Sequence, residues 1–333
     1  MVSLMASRPP NLKVALDVTT DEEGNRDVVS IASPRPTLSA TALSNYEICG
    51  FRGQCYHDPA IPKGPPSPNM IRGSVWHQEM EWWNIKHKEN GAEFKAFFPD
   101  LRTNLTDIMA DGVSDALVYN RDAWEEAGVL AEMNAEMLDV ATDLVKMTDV
   151  FLNADDETQW VTPGVEVAAH EELLYVENFQ DTSHDFIGYA DAVLRVPGVY
   201  GVVGVDYKAT GKAWGGAKGS GDPRKLVQPP LYAEAWEQMH SEPMDWFVMD
   251  VMTKAGKFQR VWVPTGWEVR EPFLGRWTDV VQDIDSHRDQ GHNHPTNPSH
   301  FLCSVDYCDY WDFCPMGQPL TDNMALQIGG NHP

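Results

Sequence analysis

The chain is short of cysteine, of positive charge and of long apolar runs. Cysteine occurs five times in 333 residues. Three of the five fall between residues 303 and 314. That is too few and too clustered for a disulfide framework, and clustered cysteines in a reducing compartment more often bind metal. Basic residues are scarce: 25 Lys and Arg stand against 50 Asp and Glu, for a net charge of −25. Such a balance argues against a protein that coats nucleic acid non-specifically, because neutralising phosphates takes Lys and Arg. It leaves room for a local basic channel. No apolar run approaches the roughly 18 residues of a membrane span. The N-terminus lacks the basic start and apolar core of a secretory signal. The expectation is a soluble cytoplasmic protein with no membrane partner.

Several sequence signatures are also missing. The Gly-rich stretch 211–221 lacks the G-x4-G-K-[ST] spacing of a nucleotide-binding loop. His170-Glu171 is not followed by the second histidine of H-E-x-x-H. His292-Asn293-His294 lacks the separated residues of an HNH site. The few cysteine and histidine combinations offer no convincing protease triad.

What is present suits a globular fold with a sizeable core: 42% hydrophobic and 23% charged residues. Residues 1–36 read as a leader, partly disordered or carrying one peripheral hairpin. Residues 37–49 read as a Ser/Thr-capped short helix that ends at Cys49. Val75, Trp76, Met80 and Trp83 recur at helical spacing. Residues 104–155 read as a helical insertion of two segments, the second running from Asp122 to Leu152. Two β-rich runs, 170–176 and 185–195, flank a polar turn and predict a hairpin. A third strand covers 200–208. A helix opens near Leu226, a further hairpin spans 247–263, and residues 267–287 are helical. Residues 316–333 read as a flexible tail.

The stretch around Asp206 concentrates the chemistry. Asp206 and Lys208 sit two apart on a predicted strand, so both side chains share one face. An acid and a lysine at the end of an apolar strand are costly unless they pair or bind something. Asp191 ends the preceding strand in Gly188-Tyr-Ala-Asp191, and adjacent strands lie about 4.8 Å apart. Two carboxylates at one level can share a divalent ion, and Mg²⁺ favours one or two carboxylates with waters and phosphate oxygens. The plain alternative is a structural ion pair between Asp206 and Lys208. His77 lies beside the apolar face of its helix, as a satisfied core residue or a further ligand. Gln228 and Tyr232 are i, i+4 neighbours on the next helix. Lys208, Lys212, Lys218, Arg224 and Lys225 face Asp222 alone, so the segment after the strand is locally basic. Cys303-x4-Cys308-x5-Cys314, with Cys49 far upstream, suits iron–sulfur or zinc. Cys55 is a fifth cysteine, a bystander or a replacement for one of these ligands.

Taken singly these signals are weak, but their order is not. A helix-borne Gly73-x-x-x-His77, then Gly188-x-x-Asp191, Asp206-x-Lys208, Gln228-x-x-x-Tyr232 and three late cysteines resembles the PD-(D/E)XK nuclease superfamily. More narrowly it resembles RecB-like exonucleases with an iron–sulfur cluster, including CRISPR-associated and phage-encoded members. The resemblance runs from Leu38 to Pro315. It implies an α/β (α+β) fold: a mixed central sheet flanked by helices, a restriction-endonuclease-like core over 37–315, a helical insertion and a C-terminal cysteine cluster. It implies His77, Asp191 and Asp206 as ligands of Mg²⁺ or Mn²⁺. Asp191, Asp206, Lys208, Gln228 and Tyr232 become catalytic, and Cys49, Cys303, Cys308 and Cys314 hold a 4Fe–4S cluster, or zinc. Relatives often space the first two late cysteines as C-x2-C, where this chain has C-x4-C. The implied activity is metal-dependent DNA exonuclease action, 5′→3′ on single-stranded ends, in recombination, repair or phage DNA processing, with a recombination protein as possible partner. The alternative is a non-catalytic member of the fold that binds DNA or protein.

Overall fold

The structure is a computed structural model. It describes residues 16–20, 26–31, 35–57, 61, 65–91, 98–214, 225–290, 294–300, 302–303, 308, 310–314 and 316. The tail beyond Met316, most of the leader, and Lys218, Asp222 and Arg224 of the basic segment lie outside these residues. The chain divides into two compact units. The larger holds the described residues of Met1–Ser39 and Pro65–Arg276, the smaller those of Ala40–Gly64 and Trp277–Pro333.

In the larger unit, β1 (Leu16–Thr20) and β2 (Arg26–Ile31) pair antiparallel as a sheet of their own. The main sheet has six strands: β3 (Thr37–Leu38), β4 (Glu166–Val176), β5 (Asp185–Arg195), β6 (Val203–Thr210), β7 (Trp246–Thr253) and β8 (Phe258–Pro264). Its order is β3-β5-β6-β7-β8, with β4 added along β5. β6 and β7 are parallel, while β4–β5, β5–β6 and β7–β8 are antiparallel. This is the mixed sheet expected from the sequence. β7 is buried over Phe247–Thr253, as an interior strand covered on both faces must be.

α3 (Pro68–Asn90) packs on β4, β5 and β6. Its start is set by Ser67, whose Oγ accepts from the Met70 N–H, and by Pro68 in the first turn. Ile71, Val75, Trp76, Met80 and Trp83 form its buried stripe. α4 (Phe98–Tyr119) and α6 (Leu130–Leu152) pack on α3 and on each other. Their Leu105, Met109, Met137, Val140, Leu144 and Phe151 join Val203, Val205 and Tyr207 of β6 in one apolar core. The helices between 98 and 152 are thus part of the core of this unit. The segment expected as one helix from Asp122 to Leu152 is two, α5 (Arg121–Glu126) and α6. Gly128 lies between them at φ +72°, a left-handed conformation that ends a helix and that glycine adopts without strain. α7 (Gln228–His240) connects β6 to β7 and packs on β4 to β7, burying Leu231, Tyr232, Ala235 and Trp236.

The smaller unit is assembled from distant parts of the chain. α1 (Ala40–Ile48) and α2 (Gly50–His57) contribute from one side. The later half of α8 (Trp267–Gln290) and the cysteine segment contribute from the other. The Phe51 N–H donates to the Pro295 carbonyl, and Asn297 donates to the Ile48 carbonyl. Among the described residues no helix is long and apolar enough to cross a membrane.

One buried acid in the core has a measurable consequence. Glu79 of α3 is fully buried and accepts a 2.5 Å hydrogen bond from Thr148 of α6. Burial pushes its carboxyl up to about 8, so it folds as the neutral acid. A group whose folded value is raised gives its full stabilisation below its unfolded value and loses it as pH rises through the folded one. Glu79→Gln should therefore flatten the alkaline fall of the melting temperature. The variant should lose less than the wild type between about pH 6 and about pH 9. Parallel melting curves for the two proteins over that range would refute the assignment.

Candidate active site

β5 and β6 pair only over three steps, Ala192–Val205 to Leu194–Val203. Extending that register by one residue sets Asp191 opposite Asp206. There the ladder stops, and the two carboxylates occupy the opening. The Tyr207 N–H, with no strand carbonyl opposite, donates to Asp191 Oδ2 at 2.7 Å. His77 of α3 reaches the same oxygen, Nδ1 to Oδ2 at 3.2 Å. Lys208 holds Asp206, its Nζ 2.8 Å from Oδ1 and 2.6 Å from Oδ2. Gln228, at the start of α7, donates to Asp206 Oδ1 at 2.6 Å. Tyr232, one turn on, hydrogen-bonds with the Tyr189 backbone and with Gln228. The six residues singled out in this part of the sequence thus converge where the ladder between β5 and β6 ends.

Gly188 is explained by Tyr232. A Cβ at that position would lie 2.8 Å from the Tyr232 ring, too close for any real contact. Gly73 has a different environment, since a Cβ there would meet nothing within 4 Å. With Met70, Ser74, His77, Gln78, Glu81 and Glu171 it lines an open groove that leads to His77.

Glu171 was not singled out in the sequence. It follows a bulge in β4 and adopts φ +42°, a left-handed conformation costly for a residue with a side chain. The register His170–Ala192 and Glu172–Ala190 places it opposite Asp191. One ligand atom each from His77, Glu171 and Asp191 lie within 4.8 Å of one another. Asp206 is turned to Lys208 and Gln228. No signal in the sequence marks Glu171, because its place depends on the bulge and on its left-handed backbone.

The electrostatics follow from this crowding. Burial raises the Asp191 carboxyl, but His77, Lys208 and the Tyr207 N–H together hold it below the ordinary range. Burial keeps Asp206 raised, against the pull of Lys208. Burial and Asp191 push Glu171 up to about 8. Burial lowers His77, yet Asp191 and Asp206 outweigh it and bring the imidazole to about 9. Lys208 stays charged, because Asp206 and Asp191 outweigh its burial. The protons on His77 and Glu171 mark where the site favours positive charge. Carboxylate oxygens with one imidazole form a donor set that fits Mg²⁺ or Mn²⁺.

The four cysteines fit a second group. Cys49, Cys303, Cys308 and Cys314 all line one cavity of the smaller unit, with Phe51, Tyr310 and Trp311 among its walls. Burial and the other three sulfurs all raise the Cys303 thiol. Cys55 is buried beside this cluster and does not line the cavity. Four convergent thiols are the donor set of zinc or of an iron–sulfur cluster.

The sequence profile of the PD-(D/E)XK nuclease superfamily matches residues 37–315, and the chain belongs to that superfamily. Among solved structures, a candidate exonuclease from Eubacterium rectale is similar at 13% identity and a TM-score of 0.47, over 89% of this chain and 94% of that one. A comparison with curated proteins gave no match.

Gly188→Ala tests the packing of the site without touching an ionisable group. It should displace Tyr232, cost about 1–3 kcal/mol of stability and lower nuclease activity. Wild-type melting together with wild-type activity would show that the close approach is dispensable.

Proposed function

We propose that this nuclease hydrolyses DNA by a divalent-metal mechanism at the Asp191–Asp206 edge, acting as an exonuclease on single-stranded ends. The observation that carries the reading is one constellation. Asp206 is gripped by Lys208 and Gln228, opposite an Asp191 gripped by His77 and the Tyr207 N–H. His77, Asp191 and Asp206, with Glu171 beside them, would hold Mg²⁺ or Mn²⁺. A cation there supplies Lewis-acid charge to a phosphate oxygen and makes water more acidic. Lys208, kept charged by its carboxylate, orients the attacking water and offsets charge that builds on the phosphate. Gln228 and Tyr232 fix the Asp206 side and contact water or phosphate. The groove past Gly73 leaves a path to His77 for a strand. The basic residues Lys212 and Lys225, and those between them, guide it.

The exonuclease type, the 5′→3′ direction and a setting in recombination, repair or phage DNA processing rest on the likeness to RecB-like enzymes. So do a cytoplasmic location and a recombination protein as partner. The cysteines in this reading carry a 4Fe–4S cluster, with zinc as the alternative, and it holds the smaller unit together. The net charge of −25 favours a rival, a non-catalytic member that binds DNA or protein.

End-labelled linear and circular single-stranded DNA, incubated with Mn²⁺ or Mg²⁺, separate these readings. The linear strand should be degraded from its 5′ end and the circle spared. Asp206→Asn, Asp191→Asn and Lys208→Ala should each slow degradation by about 10² or more. Equal cutting of the circle would make the protein an endonuclease, and no metal-dependent cutting would favour the binding reading. Undiminished cleavage by the variants would remove these residues from the chemistry.

For the cysteines, protein purified without oxygen should contain iron and acid-labile sulfide. Cys308→Ala should lose both and melt lower. Zinc in place of iron would select the alternative, and an unchanged melting temperature would count against a structural role.

A further inference from the structure

A third constellation lies in the smaller unit, among groups that neither the nuclease site nor the cysteines use. Asp283 and His287 are i, i+4 neighbours on α8 and share one face. His294, on the segment that follows the helix, stacks its ring on His287 at 4.5 Å between centroids and 30° between planes. One ligand atom from each of the three residues lies within 4.8 Å of the others. His294 Nδ1 is 3.5 Å from Asp283 Oδ2. That separation is close to the roughly 3.3 Å between neighbouring ligand atoms of a tetrahedral zinc site.

His294 is the informative member. Its side chain is only 6% exposed. Its Nδ1 is buried, and Asp283 Oδ2 stands 3.5 Å from it, at the far limit of hydrogen-bond length. An imidazole nitrogen buried in that way is expensive unless something fills its lone pair or takes its proton. The residue is held from several sides. Its N–H donates to Gln54 at 3.2 Å, and the Tyr46 ring meets it edge-on at 5.2 Å. On α8, His287 Nδ1 is 2.9 Å from the Asp283 carbonyl, so that nitrogen carries the proton and Nε2 is left as a lone-pair donor. A hydrogen bond from the ring nitrogen that does not face the metal fixes a metal-ligating tautomer.

We propose that Asp283, His287 and His294 bind a zinc ion through two imidazoles and one carboxylate, with a fourth position open to water. The nitrogen-rich donor set separates this site from the carboxylate-rich nuclease edge, which suits Mg²⁺ or Mn²⁺, and from the cysteines. It stands whether or not the nuclease reading holds.

The test uses the full chain purified without oxygen and with its cysteine-bound metal kept, dialysed against Zn²⁺ and then against metal-free buffer, and analysed for bound zinc by mass spectrometry. Asp283→Asn and His294→Ala should each retain about one zinc equivalent less than the wild type. Zn²⁺ should raise the melting temperature of the wild type more than that of either variant. Should His294→Ala fail to fold, Asp283→Asn decides, since it keeps the shape and removes only the charge. A folded Asp283→Asn protein with wild-type zinc content and the same zinc-dependent rise in melting temperature would overturn the proposal.

Discussion

The Tyr207 N–H donates to a side chain at the point where a continued ladder would have offered it a carbonyl of β5. The site depends on that substitution. Asp191 occupies the place of a strand partner, so its carboxylate is positioned by the sheet itself rather than by a mobile loop. Strand pairing up to Ala192–Val205 fixes how far apart the two acids can be. Had β5 and β6 paired to their ends, the carboxylates would stand on a closed sheet face with no opening between the strands. The break in the ladder costs a backbone hydrogen bond and returns a charge-assisted one, about twice as strong.

Around that opening the charges are distributed, not merely collected. Asp191 and Asp206 are both buried and close, and such a pair resists double ionisation. Each acid has its own stabilisers: His77 and a backbone N–H on one side, Lys208 and Gln228 on the other. The two acids are thereby pushed in opposite directions. Environment rather than residue type has made them different. Lys208 cannot swing freely, since its carboxylate partner shares its strand face.

The sequence made some of this readable. Motifs that lie within one element were visible, because strand and helix periodicity dictates who shares a face: Asp206 with Lys208, Gln228 with Tyr232. The opposition of Asp191 and Asp206 followed from two neighbouring strands with one short turn. Glu171 was not seen, because its position depends on a bulge and a left-handed backbone that no periodicity announces. The break at Gly128 was passed over, because the apolar spacing on either side is continuous enough to read as one helix. The grouping of Cys49, rather than Cys55, around the cysteine cavity was a matter of family likeness and could not come from spacing alone. Asp283, His287 and His294 were invisible as a group, since the last of them joins the others only through the course of the chain after α8.

The smaller unit brings Ile48 to Asn297, 249 positions later in the chain. α1 and α2 are therefore made early in translation, and their partners from the end of α8 onward are made last. For most of synthesis these two short helices have none of those contacts, and isolated helices of such length are marginal in water. Their surfaces, Phe51 and Cys55 among them, have to wait while β4 to β8, which lie between them and their partners in the sequence, are made. Chain order thus makes the smaller unit the late step of folding, and a ribosome stalled between residues 232 and 277 would release a protein whose nuclease residues are all present and whose first helices have nothing to close on.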